Sequence, residues 1–291
     1  MIDGKTQLYG FFAHPAQHSL SPLMYNTTFA EQKINAVYLA FDFTADLATA
    51  VTSMRTLNFG GANLSMPFKA QVIPLLDEIA PEAKLIGAVN TIVNQNGRLI
   101  GHSTDGPGFF AGLAQQGQTF QNAHLTILGA GGAGLAIIAA AGQAGVTAID
   151  VFKRRNATYA SVAAKLTEIA AATKVTIRLH DYAATNELTA ALKSSDLLVN
   201  ATNIGMGAGS TALPIPQTVL TQVPPTTVVS DVIYFPKETA FLKAARQLGH
   251  PTYNGLPMLI QQGVLAYKLW TGAEMPLAKV TQALEQQLYQ K

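Results

Sequence analysis

The amino-acid sequence predicts an α/β fold that is divided into two domains. Strand-like and helix-like patterns alternate along the whole chain, which is typical of largely parallel sheets covered by helices. The chain has 291 residues, which suits two domains of roughly 150 residues each. A strand, a glycine-rich loop and a helix follow one another near residue 130, where a second α/β unit begins.

The first unit is predicted to contain alternating strands and helices and to end in a hairpin. Alternating apolar residues indicate the strands, and apolar residues three and four positions apart indicate the helices. The predicted strands are Leu8–Ala13, Ala36–Phe43, Gly61–Met66, Ala88–Val93 and Leu99–His102. One predicted helix follows Ser21-Pro22, and a second covers Ala45–Leu57. Asn96-Gly97 lies between the last two strands and favours a tight hairpin turn.

The second unit begins with a βαβ pattern and is followed by helices alone. Its predicted strands are His124–Leu128, Ala148–Phe152, Val175–Leu179, Leu197–Asn200 and Thr227–Val232, and the predicted helices are Leu135–Gly145, Met258–Thr271 and Pro276–Gln290. We therefore expect one domain over residues 1–105 and another over residues 106–255. The helices of residues 256–291 are expected to pack back on the first domain, because the second is already complete without them.

The composition excludes several classes of protein. Hydrophobic residues make up 48% of the chain and charged residues 12%, so a sizeable core is expected and wholesale disorder is not. The formal net charge is +2 with no polybasic run, so neither nucleic acid nor a membrane surface is an expected partner. Because the chain has no cysteine, disulfides, thiolate catalysis and cysteine-based metal sites are excluded.

Neither a signal peptide nor a membrane helix is predicted. The first residues, MIDGKTQLYGFF, lack a basic segment followed by an apolar run. The most apolar stretch, Leu125–Gly145, contains six glycines, whereas a membrane helix needs about 20 mostly apolar residues. We expect a soluble cytoplasmic protein.

The loop Gly129-Ala130-Gly131-Gly132-Ala133-Gly134 matches the pattern G-x-G-x-x-G. In a Rossmann-type dinucleotide-binding domain the first glycine makes a tight turn, the second lets pyrophosphate approach the backbone, and the third allows close packing of helix and strand. Here the loop follows a predicted strand and opens a predicted helix, as that function requires. The alternative is a glycine-rich turn inside an α/β core. We interpret the loop as a dinucleotide site.

The residues after the next strand bear on which dinucleotide binds. Asp150 lies about 20 residues from the loop, the spacing of an acid that binds the ribose of NAD, but it falls inside the predicted strand. The strand is followed by Lys153, Arg154, Arg155 and Asn156, and arginine side chains there could hold the 2′-phosphate of NADP. The alternative is a solvated basic loop. We expect NADP, NAD or both as cofactor.

Further motifs occur in order along nearly the whole chain. They are His18-Ser19-Leu20-Ser21-Pro22, Asn63-Leu64-Ser65-Met66-Pro67-Phe68-Lys69, Gly87-Ala88-Val89-Asn90-Thr91, Ser103-Thr104-Asp105-Gly106, Asn200-Ala201-Thr202, Tyr234-Phe235-Pro236 and Met258-Leu259-Ile260-Gln261-Gln262. Together with the glycine loop they resemble the shikimate dehydrogenase family. Phe152–Asn156 and Leu269-Trp270-Thr271-Gly272 are most similar to its quinate/shikimate dehydrogenase branch.

The resemblance implies a two-domain, NAD(P)-dependent oxidoreductase. An N-terminal α/β domain would bind the substrate, a Rossmann-type domain would bind the dinucleotide, and hydride transfer would take place in the cleft between them. The substrate would be shikimate, in exchange with 3-dehydroshikimate, or quinate. A monomer or homodimer is expected, without a metal.

The resemblance also implies roles for individual side chains. Lys69 and Asp105 would form the catalytic pair, with Lys69 exchanging a proton with the oxygen that alternates between alcohol and ketone. The substrate would contact Ser19, Ser21, Ser65, Asn90, Tyr234 and Gln262. The dinucleotide would contact the glycine loop, Lys153, Arg154, Arg155, Asn156, Thr202 and Gly255. Without the surrounding motifs, Lys69 and Asp105 would be interpreted as a surface lysine and a turn aspartate.

Two of these positions permit a second interpretation. Ser19 and Ser21 alternate along a segment expected to be extended, which would put both hydroxyls on one side, where they could bind the substrate carboxylate. Alternatively, Ser21 caps a helix that has Pro22 at its first position. His18 and His102 have no second ligand pair at metal spacing, and Trp270 is expected in the core.

Four positions depart from the family pattern. The family has Thr where Ser65 stands, Asn where Ser103 stands and Asn-Pro where His14-Pro15 stands, and the quinate/shikimate branch has Asp where Asn156 stands. The last departure removes a charge that would repel a 2′-phosphate. Two other functions stay open: a non-catalytic dinucleotide or metabolite sensor on the same scaffold, and a dehydrogenase for another ring hydroxy acid.

Overall fold

The computed structural model describes residues 2–290, which form two compact units. One unit consists of the residues up to Gly108 together with those from Ile260 onward, and the other is Phe109–Leu259. The sequence places the two boundaries after residues 105 and 255, three and four residues earlier. Both boundaries fall within helices, Asp105–Gln115 and Leu256–Thr271, so no linker composition marks them.

The first unit is a six-stranded sheet with helices. The strands are β1 (Gln7–Ala13), β2 (Ala36–Asp42), β3 (Gly61–Leu64), β4 (Glu78–Ile79), β5 (Thr91–Gln95) and β6 (Arg98–His102), in the order β2-β1-β3-β5-β6-β4. The helices are α1 (Ser21–Glu31), α2 (Leu47–Thr56), α3 (Phe68–Gln71), α4 (Pro81–Ile86) and α5 (Asp105–Gln115), with a 3₁₀ turn at Ile73–Leu75. The sequence predicted every strand except β4, whose two residues are too few to show a pattern.

Strand β5 is antiparallel to both β3 and β6, whereas the other pairs of this sheet are parallel. The β5–β6 turn is the predicted Asn96-Gly97, and both residues have positive φ (54° and 91°), as a tight hairpin turn requires. The hairpin begins three residues later than predicted, at Thr91. Thr91 pairs with both Asn63 on β3 and His102 on β6, so the residues that flank these strand ends are brought together.

The C-terminal helices belong to this first unit from Ile260 onward. They are α11 (Leu256–Thr271) and α12 (Leu277–Tyr289). Trp270 donates from Nε1 to the carbonyl oxygen of Ile92 (2.9 Å), and its ring lies 5.0 Å from those of Tyr9 and Tyr25. The expectation that Trp270 is a packing residue is confirmed, and the aromatic contacts explain why the helix returns to this sheet.

The second unit is a six-stranded, all-parallel sheet. Its strands are β7 (Ala123–Leu128), β8 (Val146–Lys153), β9 (Thr176–Asp181), β10 (Leu197–Asn200), β11 (Val228–Asp231) and β12 (Thr252–Tyr253). Its helices are α6 (Gly132–Ala141), α7 (Tyr159–Thr173), α8 (Thr185–Leu192), α9 (Gln217–Leu220) and α10 (Ala240–Gln247), and a 3₁₀ turn follows α6 at Gly142–Ala144. The strand order is β12-β11-β10-β7-β8-β9.

That order is the doubly wound order of a Rossmann-type domain, in which the first strand lies centrally and the chain reverses direction across the sheet beside it. The reversal lies between β7 and β10, so the loops that follow these two strands are neighbours at one edge. Ligands of open α/β sheets bind at such a point. The glycine loop follows β7 directly, which places it there.

A buried ionic cluster crosses the second sheet. Asp150 on β8 is 3% exposed, and its two carboxylate oxygens bond to Nε2 of His124 and Nε2 of His180, each at 2.6 Å. His180 Nδ1 bonds to Glu187 at 2.6 Å. A neutral imidazole has a single N–H, so a carboxylate on each nitrogen favours the protonated ring. Burial by itself lowers the pKa of His180, but the two carboxylates outweigh it and raise the pKa above 6.5.

The raised pKa of His180 predicts a stability that declines with rising pH. The contribution of protonated His180 to the free energy of unfolding is fully present below pH 6.5. It is lost as pH rises through the folded-state pKa, at up to about 1.4 kcal/mol per pH unit for one proton. His180→Gln removes it. The measurement is the urea midpoint between pH 6 and 9, with His18→Gln as the control for loss of an exposed histidine. Equal slopes in wild type and His180→Gln would contradict the assignment.

Candidate active site

Lys69 and Asp105 form an ion pair in the first unit. Lys69 lies on α3, just after the turn that ends β3, and Asp105 is the first residue of α5. Nζ of Lys69 lies 2.6 Å from Oδ2 of Asp105, and the two side chains are 23% and 13% exposed. The two residues are separated by 36 positions in the chain. The structure therefore brings the predicted pair together in a position that a small molecule can still reach.

Backbone bonds to a single short segment hold the pair in place. Val89 N donates to the carbonyl oxygen of Lys69 (2.8 Å), Asn90 N donates to that of His102 (3.0 Å), and Leu64 N donates to that of Asn90 (2.8 Å). Segment 89–90 thus joins the end of β3 to the end of β6. This bridge places Lys69, which follows β3, side by side with Asp105, which follows β6.

Asn90 fixes the orientation of the Asp105 carboxylate. Its Nδ2 donates to Oδ1 of Asp105 (2.7 Å) and to Oγ1 of Thr104 (2.9 Å), while its Oδ1 accepts from the backbone N of Thr104 (2.8 Å). Each carboxylate oxygen of Asp105 therefore has its own donor, Asn90 on one and Lys69 on the other. Asn90 was predicted to contact the substrate, and the structure adds this orienting contact.

Sequence reasoning missed Asn63 as a member of this network. Its Nδ2 donates to Oγ1 of Thr91 (3.0 Å) and to the carbonyl oxygen of Asn90 (3.2 Å), and its Oδ1 accepts from the hydroxyl of Tyr38 (2.9 Å). Asn63 is 4% exposed. The signal was an amide in an otherwise apolar strand, because a buried polar side chain must find partners.

The predicted geometry of the two serines is wrong. Leu20 has helical dihedrals (φ −90°, ψ −5°), so the segment is not extended there. The side chain of Ser21 does not cap the helix either, since Leu20 is the capping residue and Ser21 begins α1. Instead, Oγ of Ser19 accepts from the backbone N of Ser21 (3.2 Å), a local turn that competes with both predicted arrangements.

Other predicted substrate contacts lie in both units. In the first unit, Ser65 is partly exposed in the turn between Asn63 and Lys69, and Gln262 is 9% exposed with its Oε1 3.5 Å from Nδ2 of Asn90. In the second unit, Tyr234 follows β11, and burial raises its pKa above 10.0.

The three glycines of the pattern have three different surroundings. Gly129 has a positive φ (98°), which glycine adopts without strain. A Cβ on Gly134 would overlap the carbonyl oxygen of Gly129, so α6 approaches the strand more closely than any side chain permits. A Cβ on Gly131 would meet no atom within 4 Å. The backbone turn thus explains the glycine at 129, and helix packing explains the glycine at 134. Gly131, by contrast, faces open space.

The glycine loop fits a bound pyrophosphate. Gly131 precedes the first turn of α6, and no side chain caps that helix, so its first backbone N–H groups point outward with the positive end of the helix dipole. Gly132, like Gly131, would place a Cβ in open space. Of the other predicted cofactor contacts, Thr202 lies beside Gly129, since a Cβ added to Gly129 would be 2.9 Å from Thr202 Cγ2. Gly255 has a packing cause, because a Cβ on it would overlap the Val232 carbonyl oxygen.

The basic residues after β8 divide into two kinds. Lys153 is 8% exposed, and its Nζ donates to Oδ1 of Asn156 and to Oγ1 of Thr158, both at 2.9 Å, so it stabilises the turn from within. Arg155 is paired with Asp181 (3.0 Å) and lies over the ring of Tyr159. Arg154 is exposed and, within residues 2–290, has no side-chain ion pair or hydrogen bond. It is the arginine of this turn that can bind a phosphate without first losing a partner.

Asp150 is already engaged with two histidines inside the strand. Asn156 lies in the turn that follows the strand, and its Oδ1 accepts from Lys153 Nζ (2.9 Å), from Thr158 N (3.3 Å) and from Thr158 Oγ1 (3.0 Å).

Two kinds of feature are absent from residues 2–290. No group of three or more His, Cys, Asp or Glu side chains among residues 2–290 could hold a metal ion. None of the helices there is both long and apolar enough to cross a membrane.

The chain matches known proteins along nearly its whole length. The model of the shikimate dehydrogenase substrate binding domain matches residues 11–92, and that of the shikimate 5'-dehydrogenase C-terminal domain matches residues 255–285. A protein of Latilactobacillus sakei named shikimate dehydrogenase (NADP(+)) is 45% identical over 284 residues, which are 98% of each chain.

Solved structures show the same fold. A shikimate 5-dehydrogenase from Listeria monocytogenes, in complex with shikimate and NAD, has a TM-score of 0.93 at 38% identity and covers 97% of this chain and 98% of its own. A quinate dehydrogenase from Corynebacterium glutamicum, in complex with NAD, has a TM-score of 0.86 at 30% identity, covering 96% and 98%. From the identity and coverage of these relatives, the chain belongs to the shikimate dehydrogenase family.

Proposed function

We propose that the chain interconverts shikimate and 3-dehydroshikimate with a nicotinamide dinucleotide, using Lys69 and Asp105 as the catalytic pair. The observation that carries the proposal is the 2.6 Å contact between Lys69 Nζ and Asp105 Oδ2 in a polar, partly open site. A sensor that only binds a metabolite has no need of a proton-exchanging pair. The relatives of this chain are named for this reaction and cover its full length.

The residues of the first unit supply the proton transfer. The nicotinamide, when bound, gives or takes the hydride. In the direction of reduction, Lys69 Nζ donates a proton to the ketone oxygen, and in the direction of oxidation it takes the proton of the hydroxyl. Asp105, held by Asn90, keeps Nζ aimed at one position, so the lysine does not need to reorient during the reaction.

One assay panel tests the proposal. The purified chain is given shikimate and quinate, each with NAD and with NADP, and the reduced dinucleotide is followed by absorbance. We expect shikimate to be oxidised. Absence of dinucleotide reduction with both acids would contradict the proposal and favour a sensor or a dehydrogenase for another hydroxy acid. Activity with quinate is a second candidate, because a quinate dehydrogenase is among the structures that this fold matches.

The two serines are proposed to bind the substrate carboxylate. The turn that joins Ser19 Oγ to Ser21 N holds the two residues next to each other at the start of α1. A hydrogen bond to a charged group contributes about 1.5–3 kcal/mol, so each serine-to-alanine change is expected to weaken shikimate binding by roughly tenfold or more. Isothermal titration measures the affinity, and Ser53→Ala on α2 is the matched control. Unchanged affinity in the double variant would place the carboxylate site elsewhere.

Both dinucleotides are expected to serve as cofactor, because neither is electrostatically excluded. Arg154 is available for a 2′-phosphate, and Asn156 carries no charge that would repel one. An aspartate at 156 would lie next to the Lys153 ammonium, which already binds Oδ1 of Asn156, so that substitution fits the turn.

Arg154→Ala is expected to weaken NADP selectively, and Asn156→Asp to shift the preference toward NAD, each by roughly tenfold. The measurement is kcat/KM for both dinucleotides, and Lys193→Ala, just after α8, is the control for loss of one exposed positive charge in the same unit. A wild type with more than a thousandfold selectivity, or variants with an unmoved ratio, would show that other residues read the phosphate.

A further inference from the structure

A fully buried carboxylate, that of Asp231, lies at the end of β11. The neighbouring strand, β10, leads into the turn that borders the glycine loop. Asp231 is 0% exposed, and it accepts three hydrogen bonds. Asn200 Nδ2 (3.1 Å) and Ile233 N (3.0 Å) donate to its Oδ1, and Thr239 Oγ1 (2.9 Å) donates to its Oδ2. All three partners are neutral. Within residues 2–290, Asp231 has no ion pair that would explain a charge in this position.

The first partner links the carboxylate to the dinucleotide site. Asn200 is the last residue of β10 and pairs in register with Asp231. Because a carboxylate only accepts, Asn200 must turn its Nδ2 toward Asp231, and its Oδ1 then faces Thr202. That oxygen accepts from both N (3.1 Å) and Oγ1 (2.7 Å) of Thr202. Asp231 and the Ile204 carbonyl oxygen, which also accepts from Nδ2 (3.2 Å), therefore select which way the amide points.

Thr202 is where this chain of bonds meets the glycine loop. Its Oγ1 accepts from Ile204 N (3.1 Å), which completes a tight turn after β10. Its Cγ2 borders the space beside Gly129 at the point where the strand order reverses. A shift of this turn would therefore change the wall of the site into which a dinucleotide pyrophosphate fits.

The other two partners tie down further segments. Ile233 N anchors the residues just before Tyr234, and Thr239 Oγ1 also accepts from Leu242 N (3.3 Å), which caps α10. Burial raises the pKa of Asp231 to about 6. Its ionised form therefore lowers the stability of the fold at neutral pH, since the group holds its proton more strongly when folded than when unfolded. A residue that weakens the fold beside a binding loop is expected where it serves the site.

We propose that Asp231 is a positioning residue for dinucleotide binding, which acts through Asn200 to hold Thr202 against the glycine loop. It rests on the proposed function in one respect, that a dinucleotide binds at this loop. Asp231 itself does not touch the cofactor. Its effect is expected in the affinity for the dinucleotide and not in the affinity for the hydroxy acid, whose predicted contacts lie largely in the other unit.

The test compares Asp231→Ala with Asp231→Asn. Alanine leaves Asn200 Nδ2 without this acceptor, and we expect the Kd for NADPH, followed by its fluorescence, to rise at least tenfold. Asparagine keeps an oxygen toward Asn200 and Ile233 and can direct its NH₂ to Thr239 Oγ1, so we expect binding within about threefold of wild type. The KM for shikimate is expected to change by no more than about threefold in both, because Tyr234 alone among the predicted substrate contacts lies near Ile233, whereas a general loss of structure would affect both ligands.

Thr227→Val is the matched control. Thr227 lies at the opposite end of the same strand, is 1% exposed, and donates from Oγ1 to the carbonyl oxygen of Ser195 (2.6 Å). It loses a buried hydrogen bond without touching the Asn200 link, so its Kd for NADPH is expected to stay within about twofold of wild type. If Asp231→Ala does not fold, Asn200→Ala decides, because it removes the amide that joins Asp231 to Thr202 and should weaken binding similarly.

Three outcomes would overturn the inference. A folded Asp231→Ala or Asn200→Ala that binds NADPH as wild type does would remove Asp231 from the binding machinery. An equal loss of binding in Thr227→Val would reduce the effect to general destabilisation. A wild type that binds no dinucleotide would contradict the proposed function as well, so the failure of the inference alone is recognised by a wild type that binds normally.

Discussion

Replacing Lys69 by alanine is expected to lower kcat for shikimate oxidation by at least about 100-fold, with KM changed by no more than about threefold. General acid–base groups contribute roughly 10²–10⁴ to rate. Asp105 keeps its bond to Asn90 in the variant, so its carboxylate stays in place while the proton-exchanging group is lost. A fall in kcat without a matching rise in KM identifies an interaction made mainly in the transition state.

The control for this experiment is Lys84→Ala on α4. Lys84 is exposed and lies in the same unit. Both variants lose one positive charge, and only Lys69→Ala loses the contact to Asp105. Steady-state kinetics at saturating dinucleotide measure the difference. A kcat for Lys69→Ala within threefold of wild type would remove Lys69 from the mechanism.

The second large effect is expected from Gly131→Val. Gly131 has φ −82° and ψ −166°, extended dihedrals that valine also adopts, and a Cβ there meets no protein atom within 4 Å. The folded protein therefore accepts the side chain. A bound pyrophosphate would have to occupy the same space, so we expect the Kd for NADPH to rise by at least about 100-fold, or 2.7 kcal/mol.

Thermal unfolding separates this effect from loss of structure. The unfolding temperature of Gly131→Val is expected to stay within about 2–4 °C of wild type, the shift produced by about 1 kcal/mol in a domain of this size. Gly4→Val is the matched control, because Gly4 is likewise open and lies outside the loop. Gly134→Val should behave in the opposite way and unfold at lower temperature, since its Cβ overlaps backbone. Normal dinucleotide binding by Gly131→Val would show that the loop is only a structural turn and does not contact the pyrophosphate.

Most strands of the fold were predictable from local pattern. Strand β10 has the bounds that its apolar run predicts, and the Asn96-Gly97 hairpin turn has the positive φ values that its residues favour. Helices α7 and α8 were not predicted, since their exposed faces are rich in alanine, threonine and charge, and apolar spacing is weak. The helix after the glycine loop begins at Gly132, three residues before its predicted start, because glycines there were assigned wholly to the loop.

The candidate site was predictable as a set of residue types in motifs. Lys69, Asp105, Asn90 and the glycine loop were all named from sequence, and the structure brings the first three together. The local geometry was not predictable for the serines, where a backbone turn at Leu20 replaces an extended segment. The direction of Lys153, inward to Asn156 and Thr158, also could not be read from a basic tetrapeptide.

The sequence by itself determined the α/β class and the place of the dinucleotide loop, because each depends on neighbours within a few positions. The residues that carry the proposed chemistry were named through the resemblance of several motifs to one family. Only the tertiary structure decided how those residues are oriented. Lys69 and Asp105 are 36 positions apart, and Asn200 and Asp231 are 31 apart. Which oxygen of a carboxylate meets which donor depends on strands that pair across such distances, and no local pattern encodes that pairing.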